Sequence, residues 1–90
     1  KSYLKIPQIK EIPEQIGVVN QSFEYQIELE ESIKNIKFSD DSELFEIDSN
    51  NTIEFIPTED AIGLHTIKIT ANNKDQIDTE WMYLTIKNEE

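Results

Sequence analysis

Cysteine and arginine are absent from this 90-residue chain, which also has only two glycines, three prolines, one histidine and one tryptophan. Each shortage closes a route. Without cysteine there is no disulfide and no thiolate zinc site, so the fold has to hold by packing and hydrogen bonding alone. Without arginine, and with 8 lysines against 19 Asp and Glu, the net charge of −11 repels a phosphate backbone, and no bidentate guanidinium contact can form. Nucleic acid is thereby excluded as a partner. No apolar run approaches the roughly 18–20 residues of a membrane span and no signal-peptide pattern is present, so membrane insertion is not expected. With 37% apolar side chains in 90 residues there is material for one modest core, and a single domain over 1–90, its core in 6–88, is expected. The chain opens with Lys1 rather than Met, which reads as a piece excised from a longer, multi-domain protein.

What the sequence does contain is alternation. In residues 22–29, Phe23, Tyr25, Ile27 and Leu29 alternate with Ser22, Glu24, Gln26 and Glu28, the period of a half-buried strand. The same period recurs at Ile36 and Phe38, at Phe45 and Ile47, at Ile53 and Phe55, at Ile67, Ile69 and Ala71, and at Met82, Leu84 and Ile86. A further extended segment, 6–12, is bounded by Pro7 and Pro13 and suits a sheet edge, where a missing N–H is tolerated. Turn-forming residues fill 17–20, 30–32, 39–43, 48–51, 57–63 and 72–78. Fifteen isoleucines favour pleated sheet over helix, and the best helical candidate, 58–64, is limited by Gly63 to one turn. No internal repeat is visible. The expected fold is all-β: an Ig-like, Greek-key β-sandwich of about seven antiparallel strands. Apolar packing must join its sheets, with Phe23, Tyr25, Phe38, Phe45, Phe55, Ile67, Ile69 and Leu84 as the expected core.

These segments also carry a resemblance. Pro7-Gln8-Ile9, Ile12-Pro13-Glu14-Gln15, Gly17 and Phe23-Glu24-Tyr25 resemble the opening of Ig-like, dystroglycan-type cadherin-like modules. Residues 44–48, 52–58, Gly63 with 67–71, and 84–86 with Asn88 are similar to that family in order and spacing, so the likeness runs from Pro7 to Asn88. The chain departs from the pattern where the family often places a corner Tyr, here His65, and where it commonly has an acidic residue two before the glycine, here Ala61. The resemblance implies a non-catalytic module, strung in tandem with others in an extracellular or cell-envelope protein. Glu14, in its Pro-Glu-Gln setting, resembles the first acidic signature of the calcium-binding members.

No catalytic residue is assigned. A nucleophilic triad needs a histidine, and His65 falls in strand register with Ile67 and Ile69, the position of a packed, hydrogen-bonded side chain. A small sandwich also offers no deep cleft in which a carboxyl group would be held protonated. Calcium is the one candidate cofactor: in an Ig-like path Glu14, Asp40, Asp41, Glu59, Asp60, Glu89 and Glu90 would gather at one pole, with Glu14, Asp41, Glu59, Asp60 and Glu89 as the candidate ligands. The competing reading is a solvated acidic surface that confers solubility. On the last strand the inward set Met82, Leu84 and Ile86 leaves Trp81 and Tyr83 on the outer face beside Thr66 and Lys68. That pair is a candidate contact for a glycan, a partner protein or a neighbouring module, against the alternative that it merely covers the sheet or packs on Tyr3 and Leu4. Two glycosylation sequons, at Asn20 and Asn50, lie in expected loops. Together these features are read as a structural spacer or adhesion module whose partners are neighbouring Ig-like domains. The alternatives are a recognition module acting through its aromatic face and an accessory domain of a secreted hydrolase.

Overall fold

A computed structural model of the chain describes residues 7–31, 33, 35–74 and 76–89. Tyr3, Leu4, Ile6 and Glu90, which entered the expectations above, lie outside the described residues. The strands are β1 (Gln15–Val18), β2 (Phe23–Gln26), β3 (Lys37–Asp40), β4 (Thr52–Phe55), β5 (Gly63–Asn73) and β6 (Gln76–Lys87), with one short 3-10 turn at Glu59–Ala61. They form a four-stranded sheet in the order β1-β6-β5-β3 and a two-stranded sheet, β2-β4. The fold is all-β.

Alternation dictates the layering. Along β5, Ile67, Ile69 and Ala71 point inward, and along β6 Met82, Leu84 and Ile86 do the same; all are buried. From the facing sheet come Phe23 and Ile53, with Phe45 packed between. Phe55 meets Phe23 edge-on at a centroid distance of 5.8 Å, a geometry aromatic rings favour, and Phe45 in a tilted arrangement at 5.4 Å. Each fully buried Ile, Leu or Met contributes on the order of 1.5–3 kcal/mol relative to exposure, which is how sheets without a disulfide stay together.

Three features differ from the sequence expectation. First, residues 17–20 do not form one turn: Gln15–Val18 is a strand, and it pairs with β6 in parallel, so the pairing is not uniformly antiparallel. The alternation that should have revealed this strand is masked because its inward position is Gly17, whose Cβ, if present, would lie 2.8 Å from Ile86 Cδ1. The apolar Ile16 faces outward instead. Second, segments 6–12 and 45–47 contribute isolated bridges, Ile9 to Leu29 and Ile47 to Ile53, rather than full strands. Third, Tyr25, Phe38 and Phe55 are only half-buried, while Ile9, Ile12 and Val19 complete the core. The candidate helical segment at 58–64 is a single 3-10 turn, Glu59–Ala61, within the one-turn limit expected.

The N-terminal edge is tied to both sheets. Lys10 N–H donates to Glu28 O at 2.8 Å and Glu30 N–H to Gln8 O at 2.8 Å, while Ile9 N–H donates across the sandwich to Asp78 Oδ2 at 2.8 Å. At the opposite end Val19 N–H donates to Lys87 O and Asn20 N–H to Pro57 O. Asn20, Asn35, Asn51 and Lys74 occupy left-handed backbone at φ values of 68°, 63°, 61° and 57°, in the loops. Asparagine tolerates this conformation because its short amide bonds locally. Gly63, at φ 132°, opens β5 in a region that side chains rarely enter.

Candidate functional site

Strand register brings the candidate aromatic residues onto the outer face of the four-stranded sheet. Trp81 stands opposite Lys68 and Tyr83 opposite Thr66 across the β5–β6 ladder. The two rings remain 46% and 42% exposed. Two residues that sequence reasoning left out lie on the same face: Ile16 (58% exposed) and Leu64 (65% exposed), both level with Thr85, on β1 and β5 respectively. A shallow groove of about 450 Å³ runs between them, lined by Glu14, Gln15, Ile16, Leu64, Tyr83, Thr85 and Lys87. The signal that would have placed Ile16 here is the Ile-Gly pair itself, since a glycine on the inward register leaves its neighbour facing out.

His65 plays the part its register indicated. Its ring is half-buried, and Nε2 lies 2.6 Å from the carbonyl oxygen of Ala61. A carbonyl only accepts, so Nε2 carries the hydrogen and donates it. The bond closes the 3-10 turn onto the first residues of β5, the kind of corner contact that a tyrosine makes elsewhere.

The acidic candidates are spread along the sheet. Glu59 and Asp60 precede Gly63, and Glu89 follows Lys87, at the end where Gly63 pairs with Ile86. Glu14 adjoins Gln15, which is level with Leu84, and so sits roughly 10 Å further along at the usual strand rise. Asp41 lies level with Lys68, roughly 17 Å from Gly63 on the same measure, and its Oδ1 accepts the Lys68 N–H at 2.9 Å. Asp40 Oδ1 accepts Ser42 N–H, and Glu89 Oε1 accepts Asn20 Nδ2 at 3.1 Å. Among the described residues, no three acidic or histidine side chains converge on a point where a metal ion would sit. Asn20 and Asn50, the sequon residues, are both exposed.

On the other outer face Glu24 stands directly opposite Glu54 in the β2–β4 ladder, both exposed. Like charges so placed repel. Lys10 and Glu28 form an ion pair at 3.4 Å there, exposed and of small energetic worth. Close by, burial, and secondarily the negative charge of Glu28, raise the pKa of the Tyr25 phenol.

Compared with protein-family models, the chain matches none, and no curated protein matches its sequence.

Proposed function

We propose that this chain is a non-catalytic, Ig-like spacer module of an extracellular or cell-envelope protein, working head to tail with neighbouring domains. The observation that carries the reading is where the ends of the fold lie. The N-terminal edge is held at Ile9 by Asp78, near the start of β6, while the C-terminal residues leave from Lys87 at the far end of that strand. Nine residues of strand separate the two, about 30 Å at the usual rise, so entry and exit occupy opposite poles. The pairing order adds support. The bridge at Ile9, β2, β4 and the bridge at Ile47 follow one another on one side and β3, β5 and β6 on the other, an order compatible with an Ig-like sandwich. In this reading β1 continues the first strand across onto β6. Small-angle X-ray scattering on a chain holding two such modules in series tests the proposal. The maximum dimension should grow by about 30–40 Å per module, and a pair folded back side by side would refute it.

One observation favours a second role beside the first. Trp81, Tyr83, Ile16 and Leu64 expose apolar surface together on the outer sheet face, and such patches mark contact surfaces.

A further inference from the structure

Charge is divided between the two outer faces of the sandwich. Side chains that point outward from the four-stranded sheet follow from the register: the even positions of β5, the odd positions of β6, Lys37 and Ser39 of β3, and Ile16 and Val18 of β1. None of these is acidic, in a chain with 19 Asp and Glu. Three of them, Lys37, Lys68 and Lys87, are basic and exposed. On the same face Trp81, Tyr83, Leu64 and Ile16 are exposed, as is Ile77 in the row of Lys37. Three exposed carboxylates flank these positions: Asp41, one residue past β3, whose Oδ1 accepts the Lys68 N–H, Glu14 in the lining of the groove, and Glu89 two residues past Lys87. Acid is concentrated elsewhere, as in the facing pair Glu24 and Glu54 on the opposite sheet.

From this segregation we propose that the outer face of the four-stranded sheet docks an acidic protein segment with an apolar centre. The proposal rests on the reading of this face as a contact surface and adds the chemistry of the occupant. Complementary charge on an apolar contact guides encounter and rejects wrong partners, and across the outward strand positions of this sheet a second acidic molecule meets lysines and no carboxylate. The composition separates a protein from a sugar. Planar amides and carboxylates that would bracket sugar hydroxyls are few, Asn72 on the strands with Glu14 and Gln15 in the groove lining, whereas exposed Ile and Leu beside Trp and Tyr have the make-up of a protein interface core. A second copy is a poor occupant. Face to face it would oppose lysines with lysines, and its glutamate-bearing opposite face offers Glu24 and Glu54 where the apolar centre needs an apolar partner.

The test is an NMR titration of the isotopically labelled chain with a random 4:1 copolymer of glutamate and tyrosine, and in parallel with polygalacturonate. The copolymer should shift amides along β5 and β6, bind about tenfold more weakly when salt rises from 50 to 500 mM, and lose about tenfold in affinity in Lys68→Glu. Trp81→Ser, read with circular dichroism to confirm the fold, should weaken binding by at least as much, and Lys87→Glu gives a second charge reversal in the groove. Equal or stronger binding of polygalacturonate at the same amides overturns the acidic-protein proposal while leaving the contact surface standing. Shifts confined to β2 and β4, or none with either polymer, overturn both.

Discussion

The phenol of Tyr25 lies half-buried, level with Ile53 on the neighbouring strand, and burial followed by the charge of Glu28 lifts its pKa above the ordinary 10.0. The folded state therefore holds the phenolic proton more tightly than the unfolded chain does. Its contribution to stability is complete below pH 10 and is lost as pH rises through the raised folded value, because ionisation then favours unfolding. Urea denaturation between pH 9 and 11 should show stability falling with pH, and Tyr25→Phe should flatten that slope. A slope unchanged in the variant would assign it to other groups. His65 shows a different economy at the same scale: one ring nitrogen holds the carbonyl of Ala61 and fixes the corner where the chain enters β5. The sequence placed this ring inward by its parity with Ile67 and Ile69. It did not identify the partner carbonyl, since a bond over four residues depends on the 3-10 turn between them.

At the scale of elements, β5 and β6 were plain in the sequence because an inward Ile, Leu, Met or Ala recurs at every second position over long stretches. β1 was not legible. Its inward residue is glycine, and the reason is steric: Ile86 Cδ1 already occupies the space a side chain would need. Gly17→Val is expected to cost about 1–3 kcal/mol, the usual penalty of overfilling a packed core, which lowers the melting temperature by roughly 4–8 °C per kcal/mol in a domain of this size. Gly17→Ala should cost less, because the terminal methyl of Ile86 is able to turn aside. Thermal denaturation of both variants checks this, and equal stability of Gly17→Val with the parent would mean that β1 does not pack on β6 as described. The bridges at Ile9 and Ile47 show the other limit of pattern reading. Alternation there is real, yet a strand also needs a partner over several residues, and these segments meet theirs at one position each.

At the scale of the whole molecule, the distribution of acid matters more than its sum. Of the residues expected to share one pole, Glu59, Asp60 and Glu89 lie at the Gly63 end, while Asp41 sits roughly 17 Å along β5 from it and Glu14 between. A cation takes its six to eight oxygens from within about 2.6 Å, so Asp41 and Glu14 do not share one ion with the carboxylates at the Gly63 end. Millimolar calcium is accordingly expected to raise the melting temperature no further than sodium chloride of matched ionic strength. A larger rise, reversed by chelator, would show that the ion binds the folded chain specifically.

The sequence by itself determined that the protein is built of β-structure, that its core is aliphatic and aromatic without covalent links, and that Trp81 and Tyr83 turn away from that core. Those properties are local, written in residue identity and in a period of two. Only the tertiary structure decided the parallel seat of β1, the company of Ile16 and Leu64 beside the aromatic pair, the grip of Asp78 on the N-terminal edge, and the absence of carboxylates from the outward strand positions of the four-stranded sheet. Each depends on which residues distant in the chain come level with one another, and register between strands is set by packing across the sandwich, which no single segment encodes.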